Sequence, residues 1–255
     1  MKVLAIIPAR YASTRFPGKP LALLGGKPVV QWVWERVSAV PELTDAVVAT
    51  DDERIVREVE AFGGRVMMTG SHHRSGTDRC GEVVERLKEQ GQTYDVAINV
   101  QGDEPFVQAK QLLTLVGCFA DGKTSIATLK TAIRSTEELL SANNVKVVCD
   151  RQGRALYFSR QPLPHLRGVE QDRWIVSQPY FKHVGIYAFR TSTLAELVRL
   201  PQSALERSES LEQLRWLENG YTISVRETSA ANIGIDTPED MEAAERYLND
   251  IQNEK

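Results

Sequence analysis

The sequence has little cysteine, little histidine and almost no charge imbalance. Its three cysteines, Cys80, Cys118 and Cys149, lie far apart in 255 residues. That number and spacing exclude a disulfide framework and a Cys-x-x-Cys metal site, and they fit a reducing compartment. Each reads as a small buried apolar side chain. Lys plus Arg is 31 and Asp plus Glu is 34, for a net charge of −3. No basic excess argues for wrapping nucleic acid. No stretch approaches the roughly 18 apolar residues of a membrane span. The run Val3–Ile7 stops at Pro8, too short for a signal h-region. No nucleic-acid partner, no membrane partner and a cytoplasmic location are therefore expected. Repeats and low-complexity segments are also lacking, and the polar tail Asn249–Lys255 is expected to fray.

What is present is an alternation of short β-branched runs and helical stripes. Strands are expected at Val3–Ile7, Ala46–Thr50, Val66–Met68, Val96–Val100 and Ser125–Leu129. Helices are expected over 28–39, 52–62, 77–90 and 109–120. The first of them carries Val29, Val30, Val33 and Val37 on one stripe. This rhythm predicts an α/β fold with a doubly wound, mostly parallel sheet. Ligands then bind outside the carboxyl ends of the strands.

After residue 140 the rhythm changes. Val145–Cys149 and Ala155–Ser159 read as a hairpin around an Asp150–Gly153 turn. Residues 160–182 show no period. A strand is expected at Val184–Phe189, helices over 191–199 and 206–219, a strand at Ile223–Val225, and a last helix capped by Thr237-Pro238-Glu239-Asp240. The expected organisation is an α/β domain over 1–130 and 226–255 with a smaller inserted α+β subdomain over 131–225.

Three strand-end loops carry chemistry. The loop 8–20 holds Arg10, Arg15, Lys19, Ser13, Thr14 and Gly18. Arginine forks and a lysine point charge suit a polyphosphate, although a solvated basic loop has the same composition. It is no P-loop, since Ser13 and Pro20 stand where that motif needs Gly and Ser or Thr. The loop Gln101-Gly102-Asp103-Glu104-Pro105 puts an acidic pair at a strand end. Asp236 could supply a second carboxylate. Two carboxylates plus substrate phosphates are the usual way to hold magnesium, while an ordinary turn and a helix N-terminus are the plain readings. His72 and His73 are adjacent and lack metal-ligand spacing; a solvated pair is expected.

The run Ile6-Ile7-Pro8-Ala9-Arg10-Tyr11-Ala12-Ser13-Thr14-Arg15-Phe16-Pro17-Gly18-Lys19-Pro20-Leu21 resembles the signature of the 3-deoxy-manno-octulosonate (Kdo) cytidylyltransferases, the CMP-Kdo synthetases. Further motifs follow in the family's order: Arg74-Ser75-Gly76-Thr77, Asn99-Val100-Gln101-Gly102-Asp103-Glu104-Pro105, Leu156-Tyr157-Phe158-Ser159-Arg160, His183-Val184-Gly185-Ile186-Tyr187, Leu211-Glu212-Gln213-Leu214-Arg215 and Gly234-Ile235-Asp236-Thr237-Pro238-Glu239-Asp240. The resemblance implies a Rossmann-like nucleotidyltransferase that joins CTP to Kdo for lipopolysaccharide assembly and releases pyrophosphate. It also implies magnesium, a homodimer, nucleotide binding by the α/β domain over 1–130 and 226–255, and sugar binding and dimerisation by the subdomain over 131–225.

By position, the resemblance assigns Arg10, Arg15 and Lys19 to the CTP phosphates, and Ala9, Arg74 and Ser75 to the cytidine. Asp103 and Asp236 would hold magnesium. Gln101, Arg160, His183, Tyr187, Glu212 and Gln213 would line the sugar pocket. Arg160 is the candidate cation for the Kdo carboxylate. His183 is a possible base, though a neutral hydrogen-bonding role fits it better. The pattern departs from the family's at His165, where a Trp is expected, and at His72, where an acidic residue is expected. The alternatives are activation of another acid sugar, sialic acid or an 8-amino Kdo, and a non-catalytic CTP-binding regulator.

Overall fold

The computed structural model describes residues 1–12, 15–230 and 234–253. The chain divides into two compact units. One is Met1–Leu113 with Ala231–Lys255, and the other is Thr114–Ala230.

In the first unit, strand β1 (Val3–Pro8) is wholly buried. A two-residue hairpin follows, β2 (Leu23–Leu24) and β3 (Lys27–Pro28). It turns on Gly25 and Gly26, both at positive φ, as a tight primed turn requires. Helix α1 (Val29–Ser38) buries Val29, Val30, Val33 and Val37, the expected stripe. Then come β4 (Asp45–Thr50), α2 (Glu53–Ala61), β5 (Val66–Met68), α3 (Gly76–Glu89), β6 (Val96–Asn99) and α4 (Ala109–Gly117), which spans the division.

Strand β1 pairs in parallel with β4 and with β6, and β4 pairs in parallel with β5. The four strands therefore lie in the order β5-β4-β1-β6. The order reverses between β1 and β6. In open α/β sheets that reversal opens a crevice outside the carboxyl ends of the two central strands.

The second unit holds β7 (Ile126–Ala132), α5 (Thr136–Leu140), β8 (Lys146–Cys149), β9 (Ala155–Ser159), α6 (Trp174–Ser177), β10 (Phe181–Arg190), α7 (Thr191–Leu197), α8 (Ala204–Glu209), α9 (Glu212–Glu218) and β11 (Ile223–Glu227). Strand β7 pairs antiparallel with β10 and parallel with β11. The hairpin β8–β9 forms as expected, with Gly153 at positive φ in its turn. Helix α10 (Pro238–Asn253) returns the chain to the first unit.

Several boundaries move. The second unit starts at 114 and ends at 230, not at 131 and 225, because β7 finds its partners in β10 and β11. Residues 206–219 form two helices, broken where Ser210 adopts a left-handed conformation that ends α8. Helix α10 continues through Asn253, past the expected fraying point at Asn249. The aperiodic stretch 160–182 contains one turn of 3-10 helix and the single-turn α6. Among the described residues, no helix is long and apolar enough to cross a membrane.

Candidate active site

The crevice at the ends of β1 and β6 gathers the expected loops. Close backbone approach explains two glycines there. A Cβ on Gly102 would stand 2.6 Å from the Pro8 carbonyl oxygen, so only glycine lets the acidic loop lie against the end of β1. A Cβ on Gly76 would meet Asn99 at 3.3 Å and Pro8 at 3.4 Å. The start of α3 therefore presses on the ends of both strands.

Asp103 and Asp236, far apart in sequence, are joined by main chain. The Ile235 amide donates to the Asp103 carbonyl at 2.9 Å. Ile235 is buried with Leu24, Val29, Phe106, Ala244 and Leu248, which anchors the junction in the core. The capping box of α10 forms: Asp240 Oδ2 accepts from the Thr237 amide, and Thr237 Oγ1 accepts from the Asp240 amide. The same Asp240 oxygen accepts from the amide of Asp236 at 2.9 Å, so the cap also holds Asp236.

Lys19 closes the arrangement. Its Nζ lies 2.5 Å from Asp103 Oδ2 and 3.2 Å from Asp236 Oδ1. Its side chain is 11% exposed, against 29% for Asp103 and 51% for Asp236. The exposed Arg15 pairs with the other Asp236 oxygen at 3.2 Å. The basic loop and the acidic loops thus interlock, and one ammonium occupies the cation position between two carboxylates. Among the described residues, no group of three or more His, Cys, Asp or Glu forms a metal cluster. A divalent ion would need donors beyond these two aspartates.

Arg10 and Arg74 are exposed. The Ala9 amide is taken by the Ala49 carbonyl at 2.9 Å. Ser75 caps α3 in a reciprocal box with Asp78. Gln101 Nε2 donates to Asn99 Oδ1 at 3.4 Å. Ser13 and Thr14 lie outside the described residues.

In the second unit His183 and Tyr187 become neighbours through an irregularity in β10. The register steps from Val184↔Leu129 directly to Tyr187↔Thr128, so Gly185 and Ile186 bulge out. Four residues of regular strand would span about 13 Å. The bulge instead brings the two rings to 5.1 Å. His183 Nε2 lies 2.8 Å from Thr128 Oγ1. That hydroxyl also faces the Ile186 and Val184 carbonyls, which take its one proton, so Nε2 is the donor to it. Burial pushes the imidazole down to about 3. His183 is therefore neutral near pH 7 and only weakly basic, in keeping with the hydrogen-bonding role.

Tyr187 is 7% exposed, and its Oη has no hydrogen-bond partner among the described residues. Burial, then the nearby Glu212 carboxylate, pushes its phenol up. Arg215 orients Glu212 through Nη2 at 2.7 Å. Gln213 is buried on the same helix, α9. Arg160 acts first as a clasp: Nε, Nη1 and Nη2 donate to the carbonyls of Glu209, Ala142 and Ser210. The second N–H on each Nη stays available for an anion.

Two features escaped the sequence reading. The solvated pair is only half right, because His72 is exposed while His73 hydrogen-bonds Glu82. That contact pins the segment leading to Arg74. Arg79, fully buried, pairs with Asp51 at 3.2 Å beneath the start of α3. Neither partner lies near the other in sequence, so no local signal marked the pair.

Comparison with known proteins gives the family. The cytidylyltransferase family model matches residues 4–227. A 3-deoxy-manno-octulosonate cytidylyltransferase of Phocaeicola vulgatus is 53% identical, over 100% of both chains. One of Geobacter metallireducens is 46% identical, over 99% of this chain and 100% of its own. A solved CMP:2-keto-3-deoxy-manno-octonic acid synthetase complexed with CTP superposes with a TM-score of 0.89 at 41% identity, covering 98% of this chain and 99% of that one. With a model match over most of its length and relatives above 45% across nearly all of it, the chain belongs to the 3-deoxy-manno-octulosonate cytidylyltransferase family.

Proposed function

We propose that this chain activates Kdo with CTP, giving CMP-Kdo and pyrophosphate for lipopolysaccharide assembly. The observation that carries the reading is the Lys19 ammonium held between Asp103 and Asp236 at the β1/β6 switch point. Cationic and anionic groups interleave there, as a triphosphate with a counter-ion needs.

In this reading the anomeric hydroxyl oxygen of the sugar bonds to the α-phosphorus. The bond from that phosphorus to the bridging oxygen breaks, pyrophosphate leaves, and the hydroxyl proton passes to water. Such a transfer depends on positioning and charge neutralisation more than on covalent help. Arg10, Arg15 and Lys19 bind the phosphates. The Ala9 carbonyl, Arg74 and Ser75 serve the cytidine. The sugar's candidate residues are Gln101, Arg160, His183, Tyr187, Glu212 and Gln213. The outward N–H groups of Arg160 suit its carboxylate. The Tyr187 hydroxyl, without a partner among the described residues, offers its hydrogen bond to the sugar.

Two carboxylates converging on one cation position fit a magnesium ion whose other ligands are phosphate oxygens and water. Asp103 and Asp236 would hold it. When bound, it would neutralise phosphate charge and lower the pKa of the attacking hydroxyl. The enzyme would work as a cytoplasmic homodimer.

The test is a pyrophosphate-release assay with four nucleoside triphosphates against a panel of acid sugars, with and without a chelator. Release with CTP and Kdo alone, abolished by chelation, is expected. Turnover with another acid sugar but not with Kdo would overturn the substrate. CTP binding without turnover on any sugar would leave a regulator.

A further inference from the structure

We propose that Arg54, on α2, is a positioning residue for the nucleotide loop and acts through Tyr11. This rests on the function proposed above. The loop between β1 and Lys19 must hold Arg15 and Lys19 ready for the phosphates, and ordering its residues costs backbone entropy. Something outside the loop has to offset that cost.

The contacts form a chain. The loop closes on itself where the Gly18 amide donates to the Tyr11 carbonyl at 2.9 Å. Gly18 sits at φ +74°, and a Cβ there would stand 3.2 Å from the Tyr11 ring and hydroxyl. The ring thus lies directly on the residue before Lys19. The guanidinium carbon of Arg54 is 3.3 Å from the centroid of the same ring. Arg54 is itself held: Nε donates to Asp52 Oδ1 at 2.9 Å, and Nη2 to Asp52 Oδ2 at 2.6 Å. Asp52 is fixed as the N-cap of α2, accepting from the Arg54 amide at 2.9 Å. Helix α2 is anchored by the buried Ile55 and Val59. Rigid helix therefore leads to carboxylate, guanidinium, phenol ring, glycine and Lys19.

The arrangement suits loop positioning better than general stability. Arg54 is exposed, and an exposed pair such as Asp52–Arg54 adds little to folding by itself. An arginine plane on an aromatic face fixes an orientation that a flexible ammonium does not.

The test compares Arg54→Ala, Arg54→Lys, Lys88→Ala, Tyr11→Leu and the double variant Arg54→Ala/Tyr11→Leu. Each is read by initial rates and by calorimetric CTP binding without sugar. Arg54→Ala is expected to weaken CTP about five-fold, equivalent to about 1 kcal/mol at 1.4 kcal/mol per decade. The KM for the sugar and the thermal midpoint should not change. Arg54→Lys should fall between wild type and alanine. Lys88→Ala removes one positive charge from an exposed residue in the last turn of α3 and should leave CTP affinity unchanged. In the Tyr11→Leu background, Arg54→Ala should have no further effect. Equal losses in both backgrounds, an equal loss from Lys88→Ala, or unchanged CTP affinity in Arg54→Ala would each overturn the proposal. The binding arm reads the latch even if no sugar turns over, so its failure and that of the functional reading are distinct.

Discussion

Lys19→Met separates catalysis from stability at this site. Methionine keeps the length and the buried stem of the lysine and removes the ammonium. In the free protein that ammonium pairs with Asp103 at 2.5 Å and Asp236 at 3.2 Å, and these carboxylates are 29% and 51% exposed. With partners so open to water, the pairs contribute at most about 1 kcal/mol to folding. For a chain of this size that corresponds to about 2–4 °C in thermal midpoint. During reaction the same ammonium faces a polyphosphate in a crevice, and losing one such preorganised group costs about 10²–10³ in rate, or roughly 3–4 kcal/mol. The variant should therefore lose kcat/KM by that factor while its midpoint barely moves. A second readout follows from the bared carboxylates. They repel each other, so magnesium without nucleotide should raise the midpoint of Lys19→Met more than that of wild type. Thermal unfolding with and without magnesium, beside steady-state pyrophosphate release, measures both. A rate loss below ten-fold, or a midpoint drop beyond about 10 °C, would refute the assignment.

Asp103→Asn and Asp236→Asn should each lower kcat about 10²–10³ and raise the magnesium concentration needed for half-maximal rate, read by magnesium titration. His183 is held near 3 in the folded chain, below its usual 6.5. The unfolded chain binds the extra proton as pH falls between those values, so wild-type stability should decline by up to about 1.4 kcal/mol per pH unit across that window. Urea unfolding of His183→Asn should show a shallower slope. The pH–rate profile should carry no histidine ionisation near 6.5 from this residue. Tyr187→Phe removes a buried hydroxyl without a partner among the described residues, so folding stability should hold or rise. The KM for the sugar should rise about five- to ten-fold if the hydroxyl donates to it. An unchanged KM would remove Tyr187 from the sugar pocket.

Much of this was legible in the chain. The stripe Val29, Val30, Val33 and Val37 became the buried face of α1, and the buried run at Val3 became the sheet's β1. The break at Ser210 was not legible, because a serine at positive φ carries no local marker in a pattern that otherwise continues as helix. Nor was the shared bulge of His183 and Tyr187, since only the pairing of β10 with β7 shows which residues are looped out. The two clasp roles, Arg160 on three carbonyls and His73 on Glu82, depend on partners brought from elsewhere in the chain.

By itself the sequence determined the alternation of strands and helices, the charges of the loops and the ordered motifs that mark the family. These are local properties, set by side-chain period, turn chemistry and residue type. The tertiary structure alone decided that β1 and β6 are adjacent and parallel, which puts the basic loop and the acidic loop at one crevice. It also decided that Ile235 binds Asp103, which brings Asp236 to Lys19 across most of the chain's length. Such contacts are set by strand order and core packing, which no stretch of sequence encodes alone, and so the site's charges were readable before their meeting was.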